Sequence, residues 1–197
     1  ELEDLINSIE NVAKSEKVSW IAVCGSVHVD NANALGLKLR EICDKYGSNL
    51  AVDTSGASAE ILYDFKPDFI KPNRDEISVW YPEASRSDQA LISSIQDLAK
   101  RINGTVLCTN GGKTAYASNN KNLLEIVPPT IAAVNSVGAG DASLAGYLAA
   151  ESSGSDFVTA VSMAMMWAIA SCQNSKSAGL NLKAASGASA SIKELVQ

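Results

Sequence analysis

The sequence predicts an α/β fold: a mostly parallel sheet covered by helices on both faces, three layers in all. Three observations lead there. Short apolar runs of strand length alternate with longer helical patterns, the arrangement produced by strand–helix crossovers. The runs are stopped by Gly, Pro or Ser. Polar, glycine-bearing segments follow the strand patterns or open the helices. The handedness of crossovers gathers the C-terminal strand ends at one edge, and ligands of such sheets bind there.

The first element is a helix over Leu2 to Lys14, with Leu2, Leu5, Ile6, Ile9 and Val12 at helical spacing. Val18 to Cys24 reads as a buried strand stopped by Gly25-Ser26. Asn31 to Tyr46 is helical, with Leu35, Leu37, Leu39 and Ile42 on its apolar side and Gly47 as its stop. Asn49 to Asp53 is a second strand. A helix over Ser58 to Tyr63 and a third strand over Asp68 to Lys71, halted by Pro72, follow. Ser87 to Ile102 is a long helix, and Thr105 to Thr109 is the fourth buried strand. Thr114 to Ala117 and Asn122 to Val127 form a hairpin, and from Ala139 onward the pattern is mainly helical. No conformation is assigned to the small-residue stretch from Ala184 to Ser191.

With 197 residues, 46% hydrophobic and 19% charged, the composition suits one domain over 1–197 with a substantial core. The net charge of -6 lacks the footprint of a nucleic-acid-binding protein. A small anion can still be held by backbone N–H groups at a helix end. The four cysteines have neither metal-knuckle nor redox-pair spacing and read as reduced thiols, Cys24 and Cys108 as buried strand residues. No signal peptide is evident and no apolar run approaches the roughly 20 residues of a membrane span, so a cytoplasmic location without a membrane partner is expected. The chain opens at Glu1 inside a helical pattern, without Met, as a fragment of a longer protein would.

The strongest chemical signal is Val134-Asn135-Ser136-Val137-Gly138-Ala139-Gly140-Asp141, followed by Ala142-Ser143-Leu144-Ala145-Gly146. Two glycines flank Ala139 where a helix begins. The first amides of a helix are unpaired and partly positive, so together they can cradle a phosphoryl group. Asp141, in the first turn, is placed to take the proton of an attacking hydroxyl. Taken alone, the same residues also fit a tight turn with a capped helix. The second segment is Ile70-Lys71-Pro72-Asn73-Arg74-Asp75-Glu76, where Asn73 and Glu76 have capping-box spacing. The third, Cys108-Thr109-Asn110-Gly111-Gly112-Lys113-Thr114-Ala115, fits either a nucleotide loop or a plain hairpin start. His28, the lone histidine, is expected in a loop.

These segments closely resemble the motifs of the ribokinase-like (pfkB) carbohydrate kinases. "NSVGAGD" with the small-residue helix behind it is similar to the second family signature. The resemblance implies an anion hole at Gly138, Ala139 and Gly140 and a catalytic base at Asp141. "KPNxxE" resembles the Asn-x-x-Glu motif of the 1-phosphofructokinase and tagatose-6-phosphate kinase subgroup, implying that Asn73 and Glu76 organise Mg2+, often through water. Thr109, Gly111 and Gly112 match the nucleotide loop, with Thr114 where the second family glycine usually stands. "VDTSG" at Val52 to Gly56 also resembles this subgroup, whereas Val27 to Asp30 departs from its "GSLPxG". A Rossmann-like sheet is implied, without the N-terminal strands and lid, along with Mg-ATP, a sugar-phosphate substrate and room for a homodimer in the intact protein. The fragment itself is expected to be inactive. The competing reading is a regulatory nucleotide-binding module without catalysis. An NAD-dependent oxidoreductase is disfavoured because Gly138-Ala139-Gly140 lies late in the chain rather than after the first strand.

Overall fold

The computed structural model describes residues 1–176, 179–180 and 189–195. It divides into two compact units, Glu1–Val106 and Leu107–Gln197, with the boundary inside a strand. The unassigned stretch from Ala184 to Ser191 falls largely outside the described residues.

The first unit holds helix α1 (Leu2–Ser15), strand β1 (Trp20–Cys24), α2 (Val29–Tyr46), β2 (Asn49–Asp53), α3 (Ala57–Tyr63), β3 (Phe69–Ile70), α4 (Arg74–Trp80), α5 (Asp88–Ile102) and the start of β4 (Thr105–Cys108). The four strands pair in chain order and in parallel, Val23 opposite Val52, Val52 opposite Ile70, and Ile70 opposite Val106. The crossover pattern predicted this. The first crossover carries its own stop signal: Gly47 takes the left-handed conformation (φ 73°) at the end of α2, and its amide donates to Cys43 O.

Two sequence expectations are corrected here. Cys24 is exposed rather than buried, because β1 is the outermost strand of this unit and has only β2 beside it. Leu37 is 47% exposed. Leu35, Leu39 and Ile42 follow the i, i+4, i+7 stripe that faces the core, and Leu37 falls between its turns.

The second unit contains the end of β4, the hairpin β5 (Ala115–Ser118) and β6 (Leu123–Val127), helices α6 (Ala139–Ser152) and α7 (Phe157–Cys172), and β7 (Ser191–Leu195). Its pairings are antiparallel, Ala117 opposite Leu124 and Ile126 opposite Ile192. The sequence had no strand after Ala139; β7 adds one. Helices α6 and α7 approach closely at Gly146, where a Cβ would stand 2.7 Å from the Met163 carbonyl oxygen and 3.0 Å from Trp167 Cγ. Among the described residues no helix is long and apolar enough to cross a membrane.

Candidate active site

In the second unit the backbone does most of the shaping. The chain leaves β4 through a tight turn in which Lys113 N donates to Asn110 O (3.0 Å) and Gly111 adopts φ 57°. Ahead of α6, the amides of Val134 and Asn135 both donate to the Cys172 carbonyl, at 2.8 and 3.1 Å. That carbonyl belongs to the last turn of α7, so the segment before α6 is tied to the end of α7. Asn135 Oδ1 then accepts from Val137 N at 2.9 Å, and Gly138 caps α6 with φ 87°, a left-handed conformation that side-chain-bearing residues adopt only under strain.

The helix start is partly used internally. Ala139 N donates to Ser136 O (3.2 Å) and Ala142 N to Gly138 O (2.9 Å). Among the described residues no backbone carbonyl accepts from the amides of Gly140 or Asp141. Those two N–H groups sit in the first turn, the partly positive end of the helix.

Between these elements lies a cavity of about 460 Å³. Thr109, Gly111 and Gly112 line one side, and Ala139, Gly140 and Ser143 another. Pro128, Pro129 and Ile131 contribute from the segment after β6, and Met165, Ala168, Ile169 and Cys172 from α7. The two glycine motifs singled out in the sequence therefore face one chamber. The α7 residues stand at i, i+3, i+4, i+7, a stripe that in sequence reads the same as core, and the spacing carried no sign of the ligand wall. Trp167 is not among the lining residues and packs at Gly146. Gly138 and Asp141 adjoin the chamber in sequence without lining it, and Asp141 is exposed.

The remaining pair belongs to the first unit. Asn73 Oδ1 accepts from Glu76 N (2.9 Å), and Asn73 N donates to Glu76 Oε2 (2.8 Å), a complete capping box on α4. One oxygen of each side chain is thus engaged with backbone, leaving Glu76 Oε1 as the carboxylate oxygen outside the box. Among the described residues no three His, Cys, Asp or Glu side chains are grouped to hold a metal. The donor set fits a Mg2+ ion that keeps most of its waters, and not a dry protein cage. Just before the box, Lys71 Nζ lies 3.0 Å from Asp53 Oδ2, and Thr54 Oγ1 donates to the Gly25 carbonyl at the ends of β1 and β2. The motif spelling gave no signal for the Lys71–Asp53 pairing. His28 caps α2 without a side-chain bond; its Nδ1 is 3.4 Å from Asp30 Oδ2, and both side chains are exposed.

Residues 2–184 match the model of the pfkB family of carbohydrate kinases. The chain is 26% identical over 155 residues to the 1-phosphofructokinase of Rhodobacter capsulatus, covering 79% of this chain and 49% of that protein. Among solved structures, a Staphylococcus aureus protein assigned as a phosphofructokinase superposes with a TM-score of 0.83 at 26% identity, covering 98% of this chain and 62% of that one. Escherichia coli phosphofructokinase-2 superposes with a TM-score of 0.80 over 94% of this chain and 61% of that one. At 17% identity that second likeness speaks for the fold alone. The chain spans about half the length of the curated relative it matches.

Proposed function

The chain belongs to the pfkB family of carbohydrate kinases, and from that membership we propose that the whole protein transfers a phosphoryl group from ATP to a hydroxyl of a sugar phosphate. The subgroup is that of 1-phosphofructokinase or tagatose-6-phosphate kinase. The observation that carries this reading is the single chamber walled by both glycine motifs, Thr109 to Gly112 and Ala139-Gly140, with an apolar side from α7 suited to a purine.

In this reading the backbone at Gly138, Ala139 and Gly140 forms the anion hole for the transferring group. Its unpaired donor, the Gly140 amide, is preorganised by the turn and the helix start, so little reorganisation accompanies the charge that develops in the transition state. Asp141 is the general base: its carboxylate takes the proton of the sugar hydroxyl as the hydroxyl oxygen bonds to phosphorus and ADP departs. Thr109, Gly111 and Gly112 hold the nucleotide. Asn73 and Glu76 would hold a hydrated Mg2+. A cytoplasmic location belongs to the same proposal, as does low activity of the 197-residue chain by itself, since it covers only 49% and 62% of the relatives described above. Positioning and water exclusion both require a complete site.

The test is coupled ATP turnover by the full-length protein with fructose 1-phosphate, fructose 6-phosphate and tagatose 6-phosphate, beside Asp141→Asn. Turnover of one sugar that falls about 10²- to 10⁴-fold in the variant is the expected result. Tight Mg-ATP binding without turnover of any of the three would replace the proposal with a nucleotide-binding regulatory module.

A further inference from the structure

Ser143 stands at i+4 from Ala139 and i+3 from Gly140 on α6, so the three share one face, and all three line the chamber. Its residue is 1% exposed, and among the described residues its hydroxyl has no hydrogen-bond partner. Helical serines elsewhere in this chain satisfy their hydroxyls on the carbonyl four residues back: Ser8 on Asp4, Ser78 on Arg74, Ser94 on Ala90. Ser143 makes no such bond to Ala139. Buried hydroxyls are nearly always paired. An unpaired one on a chamber wall, one turn inside a helix start that offers unpaired amides, marks a place where a ligand atom supplies the acceptor. Ser171 Oγ is also unpaired, but Ser171 does not line the chamber.

We propose that Ser143 Oγ is a hydrogen-bond donor to the nucleotide held in this chamber, a binding residue outside both glycine motifs. The inference rests on the nucleotide reading above. A serine hydroxyl adds selectivity of a different kind from the glycine turns: it rejects ligands that lack an acceptor at its position, because the hydroxyl then stays desolvated and unpaired.

The experiment compares full-length wild type and Ser143→Ala by calorimetric titration with Mg-ADP and with adenosine, together with thermal melts of each unliganded protein. Ser143→Ala is expected to weaken Mg-ADP about 3- to 10-fold, as loss of one hydrogen bond does. The unliganded melting temperature should be unchanged or higher, since an unpaired buried hydroxyl is removed and a better helix former introduced. A merely structural serine would move neither quantity in this way. Weakening with both ligands places the acceptor on the nucleoside; weakening with Mg-ADP alone places it on the phosphates; either supports the proposal. Unchanged Mg-ADP affinity in the folded variant overturns it while wild-type binding leaves the nucleotide reading standing. Failure of the wild type to bind Mg-ADP overturns both.

Discussion

The ammonium of Lys71 lies 3.0 Å from the carboxylate of Asp53, with the two side chains 6% and 16% exposed. They join the ends of neighbouring parallel strands, directly before the Pro72-Asn73 turn. Removing one member of a buried pair strands the other charge away from water, whereas removing both does not. Asp53→Ala is therefore expected to cost about 3–5 kcal/mol, and Asp53→Ala with Lys71→Met markedly less. Urea midpoints measure both. An Asp53→Ala cost below about 1 kcal/mol would mean that the pair behaves as a surface ion pair.

Asn73 has two roles to separate, the cap seen in the structure and the proposed Mg2+ contact. Asn73→Ala should lose about 1 kcal/mol, and Asn73→Ser, which keeps a capping oxygen, should lose little. If the amide also orders hydrated Mg2+, Asn73→Ser will still raise the Mg2+ concentration needed for half-maximal turnover. A wild-type Mg2+ dependence in that stable variant would reduce Asn73 to a cap.

Much of this was legible in the sequence, and the reasons are local. Gly47 and Asn73-Glu76 act within their own turns, so the stop and the cap fell where their spelling put them. The glycine motifs were legible as backbone-shaping residues, and they do meet. What stayed hidden depends on distant neighbours. The exposure of Cys24 follows from the position of β1 in the sheet order. The cavity wall from Met165 to Cys172 has the same spacing as core. Strand β7 carries Ile192 and Leu195 three apart, which breaks the alternation that identifies a half-buried strand. Only its pairing with β6 makes it one.

The close approach of α6 and α7 gives a packing test. A methyl at Gly146 would meet backbone at 2.7 Å (Met163 O) and 3.1 Å (Ala164 Cα), neither of which can rotate away. Gly146→Ala should cost about 1–3 kcal/mol despite the better helix propensity of Ala. A variant as stable as wild type in urea would show that the two helices separate freely.

Three of the four thiols, Cys24, Cys172 and Cys43, should react in a defined order with an alkylating reagent, followed by peptide mass spectrometry. Cys24 is exposed and reacts first. Burial raises the Cys172 thiol pKa, and burial pushes that of Cys43 up to about 11. Since the thiolate is the nucleophile, Cys172 should react slowly and Cys43 only on unfolding. Cys172 lines the chamber, so saturating Mg-ADP should slow its labelling and leave Cys24 unchanged. Equal protection of both cysteines would place the nucleotide elsewhere.

Asp156 caps α7, its Oδ1 accepting from Thr159 N at 2.8 Å, and that backbone hydrogen bond holds its carboxyl below the ordinary value of 3.8. The folded pKa is the lower one, so the stabilisation is complete above the unfolded value and is lost as pH falls through the folded one. Asp156→Ala should lower the urea midpoint at about pH 7, and the gap should narrow as the pH falls through the folded pKa. A gap independent of pH would assign the effect to packing.

The seam between β6 and β7 sets Val127 opposite Ser191, 64 positions further along the chain. Everything that walls the chamber between Pro128 and Cys172 hangs inside that span. Closing a loop of this size costs about 4 kcal/mol of chain entropy before any pairing is gained. During synthesis, β6 leaves the ribosome with one edge bare, and it stays so until the later strand arrives to cover it. The segment that walls the chamber is thus held between two ends that the β6–β7 pairing fixes to each other.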